Sequence, residues 1–198
     1  MAEIKQATFT RAVRGDAKAT KGSEPTIEPV VKGISSVGRA AVRRVHKESA
    51  ALAVSYFAGK ISKFLLMSGR PASTAETYRR SLEQYIEWDA GTEATADLDV
   101  SRPVPVGSDH IRARAHVVIE DDDGDREVRV LLWDELPLDE GQAEMIALPV
   151  LDCVNAEYAA GSTQSVEVWQ LACGQRYSVA PATAEERREA VEELVANL

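Results

Sequence analysis

Apolar residues recur near helical spacing from Ser35 to Met67, where Val37, Ala41, Val45, Leu52, Phe57, Ile61 and Phe64 form one stripe. The stripe predicts an amphipathic helix, with Gly59 as the place for a break. Ser68-Gly69-Arg70-Pro71 ends it, because glycine accepts the left-handed cap conformation and proline cannot continue a helix. Ser73 and Glu76 then make a capping box, and Tyr78, Leu82, Tyr85 and Ile86 give a second helix its apolar side as far as about Trp88. From His110 the period drops to two. Ile111, Ala113, Ala115, Val117 and Ile119 fall on one face of a strand and Arg112, Arg114, His116 and Glu120 on the other. The Asp121–Asp125 run is its turn, and Val128, Val130 and Leu132 complete a hairpin. Val104 and Val106, flanked by Pro103 and Pro105, allow an edge strand before it, although the prolines weaken that strand.

Helical spacing returns between Asp139 and about Ala160, with Pro149 expected to kink the helix and Gly161 to close it. Val166 to Leu171 and Arg176 to Val179 read as a second hairpin, and Thr183 with Glu186 as the cap of a last short helix. Residues 1–33 show little periodicity and are expected to form a flexible basic arm, with a short strand near Thr26 to Val31. The resulting order predicts an α+β (or α/β) fold. A basic helical region, 34–90, precedes an acidic domain, 91–198, whose mixed sheet is built from two hairpins with packed helices.

Charge changes the picture more than composition does. The 198 residues carry a formal charge of −9. Residues 1–80 hold 15 Lys and Arg against 6 Asp and Glu, a net +9, and the remainder holds 8 against 26, a net −18. Such asymmetry concerns partners: a basic face attracts phosphate or carboxylate surfaces, and an acidic one repels nucleic acid. No apolar run is long enough to span a membrane, and the N-terminus lacks a signal-peptide core, so a cytoplasmic protein without membrane partners is expected. Cys153 and Cys173 have no Cys or His at zinc-ligand spacing and read as buried apolar thiols.

Candidate chemistry is sparse. The acidic run misses the calcium-loop pattern, since Ile119 stands at the first ligand position and Val130 at the closing glutamate position. His46 reads as a surface residue, His110 opens a strand, and His116 reads either as a ligand-facing group or as a hydrogen-bonded sheet residue. No hydrolase elbow, zincin motif, phosphate loop or dinucleotide fingerprint occurs, and no cofactor is expected. The basic helices are the stronger signal. Arg39, Arg43 and Lys47 recur every fourth residue with Arg44 adjacent, a ridge that can track phosphates, and Arg79 and Arg80 can extend it. The other reading of the same residues is a solvated face paired with Glu48 and Glu76. Tyr78 and Tyr85 suit core packing better than base stacking.

Arg114 to Glu120, the Asp-Gly turn, Val128 to Asp134, the following helix and Val166 to Leu171 together resemble the RecB-like branch of the PD-(D/E)XK nuclease fold over residues 105–180. That family's core runs helix, three-stranded meander, helix, strand. The resemblance implies a metal site made by an Asp on one strand and an acidic-x-Lys on the next. Here His116 stands at the first position, Leu132 at the second and Asp134 at the lysine, so the motif is unmatched. A shifted register brings in Glu120 with Asp134 or Glu135, yet no lysine follows Asp134. Ser73 to Trp88 also resembles a helix of the core-binding domain of tyrosine recombinases, although no Arg-His-Arg-Tyr catalytic domain follows. Three functions remain open. The first is a non-catalytic accessory protein on a degenerate nuclease-like scaffold, contacting nucleic acid or a nucleoprotein partner. The second is a metal-dependent nuclease with a displaced acidic pair, Glu120 and Asp134. The third is an assembly subunit in which the basic helices of one copy meet the acidic surface of the next, giving a homo-oligomer.

Overall fold

Alternating burial from Asp109 to Val117 sets the centre of the fold. The computed structural model describes residues 3–15, 29–67, 72–90, 95–133, 136–158 and 163–198. Its elements are β1 (Glu3–Lys5), α1 (Gln6–Val13), α2 (Pro29–Lys47), α3 (Ala50–Met67), α4 (Ala72–Asp89), β2 (Thr95–Val106), β3 (Asp109–Glu120), β4 (Arg126–Leu132), α5 (Glu140–Glu157), β5 (Thr163–Gln170), β6 (Gln175–Val179), α6 (Pro181–Glu185) and α7 (Arg188–Ala196). Together they make an α+β fold on a mixed six-stranded sheet.

β2, β3 and β4 form an antiparallel meander, α5 crosses over, and β5 returns parallel to β4 before β6 pairs antiparallel with it. β2 covers one edge of β3 along its whole length. The opposite edge is divided: β1 runs parallel to His110–Arg112, and β4 pairs only with Val117–Glu120. Between these two partners the sheet opens into a fork.

Helices lie on both faces. α5 supplies Ala143, Ile146, Ala147, Val150, Leu151 and Val154 to a core with Val128, Val130, Val166 and Val168. On the other face Ile34, Ala41 and Val42 of α2, Phe57 and Ile61 of α3, and Leu82 and Tyr85 of α4 meet Leu131, Trp133 and Trp169. Single-residue alternation in β4 and β5 feeds both cores. α5 begins on a capping box in which Asp139 accepts from the Gln142 backbone at 2.8 Å and the Gln142 side chain accepts from the Asp139 backbone at 3.1 Å. Pro149 lies inside this helix.

Gly38 fixes how closely α2 approaches the sheet. A methyl group at this position would lie 2.5 Å from Cε2 of Trp133. Gly38→Ala is therefore expected to cost about 1–3 kcal/mol through overpacking despite alanine's better helix propensity, as measured by urea denaturation. A stabilised variant would show that α2 is not seated on Trp133.

Several expectations need correction. The long first helix breaks at Glu48–Ser49 rather than Gly59, giving α2 and α3. Part of the expected arm is ordered: β1 joins the sheet, and Ile4 and Phe9 are buried. α2 already begins at Pro29, where the end of a strand was expected; residues 16–28 lie outside the described residues. α5 ends at Glu157, and Gly161 also lies outside them. The last helix is two, α6 opening on Pro181 with Thr183 inside it, then α7. Finally, β3 does not keep one apolar face. Ile111, Ala113, Ala115 and Val118 join the α5 core, whereas Val117 and Ile119 join the other.

Candidate functional site

The face exchange in β3 has a counterpart in β2. Val100, Val104 and Val106 lie with the α5 core, but Ala96 and Leu98 lie with the helical layer. Asp99 separates them and has φ +61°, the one positive φ at a non-glycine among the described residues. It stands across from His116, since Leu98 pairs with Val117 and Val100 with Ala115. Asp is among the few side chains that tolerate this conformation, and its cost is the kind that persists only where the surroundings hold it.

Three guanidinium groups converge on Asp99. Arg43 of α2 pairs with Oδ2. Arg39 Nε, one helical turn earlier, and Arg114 Nη1 of β3 each stand 3.9 Å from Oδ1. That oxygen is buried and accepts no hydrogen bond. Burial lowers the Arg39 pKa, with Arg114 and Arg43 adding repulsion against the pull of Asp99. Three cations thus share one carboxylate, and this one is only 15% exposed.

His116 fills the fork beside them. Its Nδ1 accepts the Leu131 N–H at 3.0 Å, so the ring is neutral with its proton on Nε2. Burial, reinforced by Arg39 and Arg114, pushes its pKa down to about 3, against the pull of Asp99. The histidine is a hydrogen-bonded sheet residue. Because the folded value lies below the unfolded one near 6.5, its contribution to stability is complete above pH 6.5 and is lost as pH falls toward 3. Between pH 7 and 5 wild type is expected to lose about 2 kcal/mol more than His116→Asn, by urea denaturation at each pH. Equal losses would show that His116 does not titrate in this way.

A second polar cluster ties the helical layer to the sheet. Arg129 of β4, buried, pairs with Asp89 at the end of α4 and with Glu127, and its guanidinium lies 4.3 Å from the Trp169 ring centre. His46 Nε2 is 2.5 Å from the Tyr85 hydroxyl and 3.9 Å from Asp89. His46 is accordingly half-buried at this junction, not a surface residue, and burial lowers its pKa while Asp89 opposes. Burial likewise raises the Tyr85 pKa, helped by Asp89.

The predicted ridge divides. Arg39 and Arg43 turn toward Asp99, while Arg44 pairs with Glu48 and stacks 4.4 Å over the Tyr56 ring. Lys47 is exposed at the C-terminal end of α2. On α4, Arg79 bridges Glu76 and Glu83, and Arg80 pairs with Glu76 but remains 74% exposed. Alternation puts Arg114 on the face it occupies, beside His116, whereas nothing in the sequence around Asp99 marks it as a site residue. Tyr78, Tyr85 and Cys153 are buried as expected, whereas Cys173 is half-buried. Glu120 pairs with Arg126, and Asp134 and Glu135 lie outside the described residues. Asp121 closes the acidic turn by accepting from the Asp123 and Asp125 backbones at 3.0 and 2.9 Å. Among the described residues no group of His, Cys, Asp and Glu converges as a metal site, and no helix is long and apolar enough to cross a membrane.

No family model matches the chain, and no curated protein matches it. A solved structure, that of SSO0001, is similar at 16% identity with a TM-score of 0.38, covering 98% of this chain and 85% of that one. A likeness at that score carries no argument about function.

Proposed function

We propose that the chain is a non-catalytic binding protein on a degenerate nuclease-like scaffold, holding nucleic acid or a nucleoprotein partner through the basic edge of α2 where it overlies the β2–β3 ribbon. The observation that carries this reading is the excess of cation there: Arg39, Arg43 and Arg114 around the single Asp99 carboxylate, with Lys47 exposed one turn beyond Arg43. Such a set favours phosphate oxygens and disfavours a divalent cation. The succession of meander, crossover helix and parallel strand supports the scaffold. At the fork, neutral His116 stands where the nuclease resemblance requires a metal-binding acid. The acidic surface of the second half keeps the remainder of the molecule off a polyanion.

The test is purification of the intact chain with its ultraviolet absorbance ratio and eluted mass recorded before and after a high-salt wash. Nucleic acid that co-purifies at low salt and leaves at high salt is the expected result. Salt-sensitive oligomers free of nucleic acid would overturn it in favour of basic-to-acidic self-assembly. Cleavage of an oligonucleotide on adding magnesium or manganese would overturn it in favour of a nuclease using Glu120 and Asp134.

A further inference from the structure

Asp99 is poorly fitted to the cations around it. Its Oδ2 is taken by Arg43, but its buried Oδ1 stands 3.9 Å from both Arg39 and Arg114, beyond hydrogen-bond reach of either. The residue is held at φ +61° in the middle of a strand to place this carboxylate under α2. A tetrahedral oxyanion has more acceptor oxygens and a wider spread than a carboxylate, and can meet three guanidinium groups at once. We infer that Arg39, Arg43 and Arg114 form a subsite for a single phosphoryl group and that Asp99 is its built-in competitor, occupying the cations until a phosphate displaces it. This deepens the proposed function by naming the group held and by making Asp99 a brake on affinity. It requires only that Asp99 withdraw from Arg43, and an exposed Arg43 side chain gives the ligand its entry.

The brake makes a prediction opposite in sign to that for an ordinary binding residue. Removing Asp99 should strengthen binding. Asp99→Asn keeps a side chain that tolerates positive φ, and Asp99→Gly removes the carboxylate while suiting that backbone better still. Inorganic phosphate titrated against the thermal midpoint of the intact chain at constant ionic strength should bind both variants about tenfold more tightly than wild type. Arg114→Gln in the Asp99→Asn background should return the affinity to wild type or below. Unchanged or weaker phosphate binding in both Asp99 variants overturns the inference, as does tight binding that survives loss of Arg114. A parallel titration with an unphosphorylated single-stranded oligonucleotide identifies the source of the phosphoryl group. Phosphate binding that responds to Asp99 without any oligonucleotide binding leaves the subsite standing for a free phosphate and removes the nucleic-acid reading. Oligonucleotide binding indifferent to Asp99 does the reverse.

Discussion

Arg129→Met is expected to cost about 3–5 kcal/mol, the largest loss of any single polar substitution in the described residues. The methionine preserves much of the apolar stem but removes the cation that Asp89 and Glu127 share. Asp89 is left as a carboxylate only 11% exposed, next to the Tyr85 hydroxyl and the His46 ring, with no guanidinium to offset its desolvation. Trp169 also loses the charge stacked against it. Lysine should not rescue the site, because it can neither fork between two carboxylates nor lie flat on an indole. Urea denaturation of Arg129→Met, Asp89→Asn and the double variant measures the effect. The double variant should be more stable than the sum of the single losses implies, since the asparagine carries no charge to strand. A loss under about 1 kcal/mol in Arg129→Met would show that this cluster is not what joins α4 to β4.

The second large effect concerns binding. Arg43→Glu combined with Lys47→Glu should lower oligonucleotide affinity by about a hundredfold at low salt, because two cations one turn apart become two anions on the same edge. Arg43→Gln with Lys47→Gln should lie between the two, and its salt dependence should be shallower than wild type by about one contact, since Arg39 and Arg114 still hold the phosphate at the cluster. Arg80→Glu on α4 serves as a comparison, being 74% exposed and paired with Glu76 instead of Asp99. Equal losses from Arg80→Glu and from the α2 pair would mean that general charge, and not the α2 edge, governs binding.

Much of the architecture was legible from periodicity because the signals were local. The stripe of Tyr78, Leu82 and Tyr85 and the alternation of Val128, Val130 and Leu132 each follow from one element's own geometry. The exchange of faces in β3 was not legible. Ile111 to Val117 alternates without interruption and Val117-Val118-Ile119 is apolar on both faces, so nothing in the sequence marks a switch; the exchange depends on a left-handed residue in a neighbouring strand, Asp99, whose effect appears only once Leu98 and Val100 are paired with Val117 and Ala115. Half of the candidate site was visible for a related reason. Arg39 and Arg43 announce themselves by spacing on one helix, but their meeting with Arg114 and Asp99 joins α2 to β3 and β2 across the chain. His46 misled in the same way: its neighbours Arg43, Arg44 and Lys47 suggested solvent, whereas Tyr85 and Asp89 arrive from α4 to enclose it. β1 was missed because three residues carry almost no pattern, and only the unfilled edge of β3 explains their order.

The division of charge at residue 80 acquires a structural sense from this layering. The basic residues of α2 do not lie in a separate module but along the boundary where the helical layer meets the β2–β3 ribbon, and one acidic residue from the second half, Asp99, is built into them. The proposed function requires that this boundary attract a phosphate backbone. The direct measurement is the affinity of the intact wild-type chain for single- and double-stranded oligonucleotides over a range of salt concentrations. Binding whose logarithm falls linearly with the logarithm of salt, with a slope corresponding to about two phosphate contacts, one at the arginine cluster and one at Lys47, is the predicted result. An absence of binding at low salt, or binding insensitive to salt, would contradict it.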